Sequence, residues 1–264
     1  MMLLPETTKG LILDMDGVLW SDTAQIGNLA NIFSKMKDLG IKPVMATNNS
    51  TRTVEQYVNR LAGFGVKVEP WQIITSSQAA AELMSKNLEA GSEIFAIGEE
   101  GLQEEVKKKG FVLLTIEQAA RATAVVIGLD RKINFEKMVE AALLIRSGKP
   151  FFATNRDKTF PTPRGQIPGA GAWSSVLITA TDKQPLYAGK PFTPMMEIAL
   201  ERLGTKKENT FVVGDRLETD IAGGQKVGCP TALVLSGVCS RDEAIRWSPK
   251  IQIIAEDLSS LLGM

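Results

Sequence analysis

Short apolar runs alternate with helical patterns along almost the whole chain. The runs Leu11 to Leu13, Ile41 to Ala46, Ile94 to Ile97, Ala124 to Leu129, Phe151 to Ala153, Phe211 to Gly214, Ala232 to Leu235 and Ile251 to Ile254 predict buried strands, because each is short and bounded by polar or turn residues. Between the first two, Ile26, Leu29, Ala30, Phe33 and Met36 recur at helical spacing, which makes a right-handed βαβ crossover the default. Phe135, Met138, Val139, Ala142 and Leu143 form another apolar stripe closed by Gly148, and Thr193 with Pro194 opens a helix that Gly204 ends. Strands alternating with helices predict an α/β protein with a doubly wound parallel sheet covered on both faces. No repeat of solenoid length and no low-complexity linker interrupts the pattern.

Four polar clusters follow apolar runs, where an open parallel sheet binds its ligands. They are Asp14-Met15-Asp16-Gly17-Val18, Thr47-Asn48-Asn49-Ser50, Gly189-Lys190-Pro191 and Gly214-Asp215-Arg216-Leu217-Glu218-Thr219-Asp220. Singly, each has a bland reading as a turn, a helix cap or a solvated charge. Two acids directly after Leu-Ile-Leu, however, repel each other and lose solvation unless a cation neutralises them. With Asp215 at a further strand end, three carboxylates can converge on one ion, and an all-oxygen set suits Mg²⁺. Thr47 offers a hydroxyl, the backbone N–H groups of Asn48 to Ser50 at a helix start offer an anion cradle, and Lys190 adds positive charge. Together these groups suit a phosphoryl group attacked in line by Asp14.

Composition narrows the chemistry. The 264 residues contain no histidine, which excludes a Ser-His-Asp triad, a Cys-His pair and a His-ligated zinc. Thirty Lys plus Arg offset thirty Asp plus Glu, so nothing marks a surface for nucleic acid or anionic membrane. Cys229 and Cys239 form no metal-ligand spacing and read as buried thiols of a reduced compartment. The N-terminal apolar stretch is broken by Asp14 and Asp16 and lacks a basic leader, and no run is long enough for a membrane span. The chain is therefore expected to be cytoplasmic. The paired methionines Met195 and Met196, with Met36 and Met45, read as core filler, and Trp173 as packing or a substrate-ring contact.

In order and content the four clusters resemble the motifs of the haloacid dehalogenase-like (HAD) phosphatases: DxDG(V/T) at Asp14 to Val18, Thr47, Lys190, and GDxxxTD at Gly214 to Asp220. The resemblance implies a nucleophile at Asp14, a general acid and base at Asp16, phosphate contacts from Thr47, Asn48 and Lys190, and Mg²⁺ held by Asp14, the Asp16 carbonyl and Asp215. Asp220 would be the outer carboxylate, ligating through water or orienting Lys190. One crossover helix fills the stretch from Asp16 to Thr47. The stretch from Asn49 to Lys190 exceeds a crossover of about 30 residues by roughly 100, enough for a second α/β domain. The expected organisation is a Rossmann-like HAD core from residues 1–80 and 184–264, with an inserted α/β cap at 81–183.

Among HAD phosphatases this arrangement is similar to the NagD and p-nitrophenyl phosphatase subfamily. Its marks are TNNS from Thr47, ATN-x-D at Ala153 to Asp157 and FPTPRGQIPGAG at Phe160 to Gly171. Asn49, Asn155 and Arg156 are accordingly candidate substrate contacts, Arg156 either as an anion ligand or as a solvated loop charge. The missing histidine counts against pyridoxal phosphate as the preferred substrate. The implied activity is Mg²⁺-dependent hydrolysis of small soluble phosphate monoesters through an aspartyl-phosphate, by a homodimer with a small phosphorylated metabolite as its partner. A non-catalytic phospholigand-binding or scaffold protein is the alternative, disfavoured because burying Asp14, Asp16, Asp215 and Lys190 without a task costs stability. A sugar phosphomutase would carry its cap after the first cluster, and a dehalogenase needs neither Asp16 nor Asp215.

Overall fold

The computed structural model describes residues 2–162 and 164–264; Met1, and Pro163 within the Phe160 to Gly171 segment, lie outside the described residues. The chain divides into two compact units, one from residues 1–47, 55–74 and 190–264, the other from 48–54 and 75–189. The second unit contains residues 81–183, expected from spacing to be the insert, and also residues 48–54, 75–80 and 184–189, which spacing assigns to the core.

The first unit carries a six-stranded sheet in the order Ile253–Ala255, Thr231–Val234, Thr210–Gly214, Gly10–Leu13, Lys42–Thr47, Ile73–Thr75. In chain order this is 3-2-1-4-5-6, the doubly wound Rossmann order, with its switch point between Gly10–Leu13 and Thr210–Gly214. Both strands are wholly buried and pair in parallel, Leu13 opposite Val213. The helix Leu29–Asp38 starts where the Asn28 side chain accepts from the Asn31 N–H, and it buries Leu29, Ile32 and Met36. Ile26 of the anticipated stripe therefore precedes the helix. The helix Thr193–Leu203 ends at Gly204, whose φ of 63° is the left-handed cap conformation that glycine adopts without penalty. The strand Ile73–Thr75 escapes the hydrophobic pattern because it is only three residues long and runs straight into a helix.

The second unit has its own five-stranded parallel sheet, ordered Leu186–Tyr187, Phe151–Ala153, Ala124–Ile127, Glu93–Ile97, Val112–Leu113. Its chain order, 2-1-3-4-5, puts a switch point between Glu93–Ile97 and Ala124–Ile127. An antiparallel hairpin pairs Thr159–Thr162 with Gly165–Pro168. The helix Phe135–Arg146 forms where expected but faces differently: Ala141, Leu144 and Ile145 are buried, whereas Phe135 is 83% exposed and Leu143 58%. Asn134 caps this helix through its side chain, and packing on the sheet sets the rotation, which a stripe of five apolar residues left ambiguous. Trp173 packs against this core, and Met36, Met45, Met195 and Met196 are buried in the first unit. Both cysteines are free and buried.

Candidate active site

The first sheet's switch point places Asp14 one residue beyond Leu13 and Asp215 one residue beyond Gly214. The backbone crowds Asp215 from two sides. A Cβ at Gly17 would lie 2.4 Å from Asp215 Oδ2, and one at Gly237 only 2.0 Å away, so both positions exclude any side chain. Gly17 also has a φ of +84°, which L side chains rarely adopt. The Val238 N–H donates to Asp215 Oδ2 at 2.9 Å, and Ser236 Oγ ties the Gly17 carbonyl at 2.7 Å. Asp215 Oδ1 is buried with no hydrogen-bond partner among the described residues. A Cβ at Gly214 would overlap Asp220, which brings that carboxylate in close.

Lys190 joins these acids. Its side chain is 3% exposed, and Nζ lies 2.7 Å from Asp14 Oδ1 and 2.7 Å from Asp220 Oδ1 while donating to the Ala46 carbonyl at 2.8 Å. Burial alone would lower its pKa, but the charges of Asp14 and Asp220 outweigh that and push it up, so the lysine stays an ammonium. Burial pushes Asp215 up to about 6 and Asp220 to about 7, in both cases with added repulsion from Asp14. One ammonium among three carboxylates leaves negative charge in excess.

Asp16 sits differently. It keeps exposed surface yet is crowded by protein, and this desolvation, with the charge of Asp14, raises its pKa against the opposing pull of the Trp20 hydrogen bond, Arg60 and Lys190. Trp20 Nε1 donates to Asp16 Oδ1 at 2.9 Å.

Thr47 is buried at the end of its strand. The chain then enters the second unit, where Asn48 is fixed from several directions. Ser76 Oγ and Asn155 Nδ2 donate to its carbonyl at 2.6 and 2.7 Å, and its Nδ2 donates to both Asp157 oxygens at 3.1 and 3.2 Å. Asn49 folds back on its own loop, Oδ1 accepting from the Thr51 N–H at 2.9 Å and from the Thr51 hydroxyl at 2.8 Å. Asn155 is buried beside Asn48, whereas the Arg156 side chain is exposed. The structure thus unites Asp14, Lys190, Asp215 and Asp220 in the first unit and Asn48, Asn155 and Asp157 in the second.

Sequence reasoning assigned no role to Trp20, Ser76, Gly237 or Asp157. Trp20 lies four residues after Asp16, just beyond the Asp14 to Val18 cluster, and no pattern in the sequence ties its indole to that carboxylate. Ser76 and Gly237 belong to no motif and reach Asn48 and Asp215, respectively, only through the fold.

Oxygens of Asp14, Asp215 and Asp220 all lie within 4.8 Å of one another. A charge-rich, all-oxygen set with an unpartnered buried carboxylate oxygen fits a hard divalent cation. A Rossmann-ordered sheet with nucleophile-capable carboxylates, a buried ammonium and a cation site at its switch point is the frame of a hydrolase that transfers phosphoryl groups.

The family model described as haloacid dehalogenase-like hydrolase matches residues 11–112, and a second, HAD-hydrolase-like model matches 187–261. The 5'-nucleotidase YutF of Bacillus subtilis is 36% identical over 90% of this chain and 91% of its own length. Among solved structures, a p-nitrophenyl phosphatase from Archaeoglobus fulgidus superposes with a TM-score of 0.90 at 34% identity, covering 97% of this chain and 98% of that one. The glycerol phosphate phosphatase Rv1692 of Mycobacterium tuberculosis, solved in complex with magnesium, gives 0.89 at 34% identity, over 97% of this chain and 76% of that one. The chain belongs to the haloacid dehalogenase-like hydrolases. Within that family it is a phosphoric monoester hydrolase.

Proposed function

We propose that the protein is a Mg²⁺-dependent phosphatase of small soluble phosphate monoesters, nucleotide, glycerol and sugar phosphates among them, working through an aspartyl-phosphate. The observation that carries this reading is the convergence of Asp14, Asp215 and Asp220, with oxygens within 4.8 Å of one another, and the pairing of buried Lys190 with Asp14 and Asp220. Asp14, the Asp16 carbonyl and Asp215, with Asp220 as the outer carboxylate, would hold the cation, which when bound neutralises charge on the phosphoryl oxygens and aligns the phosphate.

The chain's own residues supply the rest. An Asp14 carboxylate oxygen attacks phosphorus as the ester P–O bond breaks, and Asp16 passes its proton to the departing alcohol oxygen. Asp16, now a carboxylate, takes a proton from water as that water attacks phosphorus. The bond to Asp14 breaks, and phosphate leaves with both residues restored. Lys190 offsets the equatorial charge, and Thr47 with the N–H groups of Asn48 and Asn49 orients the phosphate oxygens. The second unit serves as the selectivity domain, with Asn155 and Arg156 distinguishing leaving groups, and we take the working form to be a cytoplasmic homodimer. The similarity to a 5'-nucleotidase and to a glycerol phosphate phosphatase supports the substrate class.

Release of phosphate from p-nitrophenyl phosphate and a panel of nucleotide and sugar phosphates, with Mg²⁺ and with a chelator, tests the reading. Chelation abolishes turnover, Mg²⁺ restores it, and folded Asp14→Asn keeps less than about 1% of the rate. Substantial turnover by Asp14→Asn removes the nucleophile assignment.

A further inference from the structure

The geometry points to Trp20 as the positioning residue that sets which oxygen of Asp16 carries the catalytic proton, an inference that rests on the acid and base role proposed for Asp16 above. The indole N–H can only donate. With Nε1 at 2.9 Å from Asp16 Oδ1, that oxygen must remain an acceptor whether or not Asp16 is protonated. A carbonyl oxygen accepts better than an acid's hydroxyl oxygen, so this contact favours the proton on Oδ2 and holds the carboxyl against rotation about its Cβ–Cγ bond. A freely turning carboxyl would divide its proton between two oxygens and several directions, and general acid catalysis depends on the donor lying within hydrogen-bond reach of the departing oxygen.

A positioning residue must itself be fixed, and Trp20 is. It is fully buried, and its ring lies nearly parallel to Tyr57, with centroids 6.4 Å apart and planes at 10°. Phe64 packs at 6.2 Å, and the Arg60 guanidinium carbon stands 4.1 Å from the ring centroid. Arg60 also donates to the Asp22 carbonyl in the turn just beyond Trp20. The backbone closes the same loop, since the Gly17 N–H donates to the Trp20 carbonyl at 2.7 Å and the Trp20 N–H to the Met15 carbonyl at 3.3 Å. Tyr57 and Arg60 come from one face of the helix Val54–Gly63, so a helix far along the chain clamps the ring that holds Asp16. Core packing alone would account for a buried tryptophan; it does not call for the indole N–H to end on the one carboxylate that must transfer protons.

Trp20→Phe keeps an aromatic ring and deletes the donor. The isostere β-(3-benzothienyl)alanine at position 20 deletes the donor while preserving ring shape, which guards against a packing defect. For both, and for Asp16→Asn in parallel, kcat/KM is measured with Mg²⁺ on p-nitrophenyl phosphate, whose leaving group needs little protonation, and on glycerol phosphate, whose leaving group needs much. Both Trp20 variants are expected to raise the nitrophenyl-to-glycerol ratio of kcat/KM by roughly 30-fold, in the same direction as Asp16→Asn. A purely structural role would slow both substrates alike. A ratio within about twofold of wild type in the Trp20 variants, with Asp16→Asn showing the rise, overturns the inference and leaves the reading of Asp16 standing. No rise in Asp16→Asn removes the acid role itself, and the positioning role with it.

Discussion

Two parallel sheets in this chain each have a switch point, and they are finished in opposite ways. In the first, Asp14 and Asp215 follow the flanking strands, and a buried carboxylate oxygen of Asp215 is left without a hydrogen-bond partner among the described residues. In the second, the chain fills the crevice itself. The Leu129 N–H donates to Ser50 Oγ at 3.1 Å, and the Gly101 N–H to the Thr51 carbonyl at 3.2 Å. A Cβ at Gly128 would lie 2.8 Å from Ser50 Oγ. Here too an aspartate follows a strand and is buried, but Asp130 is satisfied by Lys137 Nζ at 2.6 Å and the Lys132 N–H at 2.8 Å. Strand-end location alone therefore does not make a ligand site. What separates the two is whether the protein's own donors meet its acceptors, since unmet buried carboxylates are stable only if something else binds them.

Breaking the first switch point has the largest expected effect. Gly17→Ala puts a methyl where Asp215 Oδ2 lies 2.4 Å away and imposes a φ of +84° on a residue with a side chain. The carboxylate must move, and a displacement near 1 Å in a catalytic arrangement costs about 10²-fold. A loss of that size in kcat/KM, with weakened Mg²⁺ dependence and an intact fold by circular dichroism, is expected. Wild-type kinetics in Gly17→Ala would show that the close approach of the loop to Asp215 is dispensable.

Protons and metal sharpen the same contrast more gently. Asp215 at about 6 and Asp220 at about 7 both stand above the 3.8 of the free side chain. The folded, metal-free protein therefore binds more protons than the unfolded chain between roughly pH 4 and 7, so these groups make its stability fall as pH rises through that window. A divalent cation relieves the repulsion where the carboxylates are ionised. At 100 times its Kd, one cation adds about 2.7 kcal/mol, or roughly 5–10 °C in Tm, and this full increment is expected near pH 7. Near pH 5 protons occupy the same oxygens and the increment shrinks. Scanning calorimetry with Mg²⁺ and with chelator at both pH values checks this; an increment that grows toward low pH contradicts the assignment of the cation to these acids.

The residues that sequence reasoning reached are those whose meaning is local. Asp14 and Asp215 could be read because each directly follows an apolar run that must be a buried strand. Trp20, Gly237 and Ser76 could not, because their contacts come from chain reversals that no periodicity encodes. The helix Phe135–Arg146 illustrates the limit within an element. Its existence was legible from apolar spacing, but the buried face, Ala141, Leu144 and Ile145, is fixed by the sheet it packs on. Likewise TNNS suggested an anion cradle at a helix start, whereas the helix that follows begins only at Val54 and the side chains that immobilise Asn48, from Ser76, Asn155 and Asp157, are distant in sequence.

The second switch point offers the smallest and most discriminating test. Ser50 is 1% exposed, and its hydroxyl meets the buried Leu129 N–H at the end of the central strand. Ser50→Ala leaves that N–H without a partner in a place water does not reach, at a cost of about 1–3 kcal/mol. The backbone contacts of the segment survive, including the Ser50 carbonyl that accepts from Ser77 Oγ at 3.0 Å, so the loss is confined to one hydrogen bond. Urea unfolding is expected to show the second unit destabilised by that amount, with a matching loss of hydrogen-exchange protection at Leu129, while Mg²⁺ dependence and the Asp215-linked pH response stay as in wild type. If Ser50→Ala instead altered cation affinity with stability unchanged, the second crevice would be a ligand site after all, and satisfaction by the chain's own groups would not be what distinguishes the two.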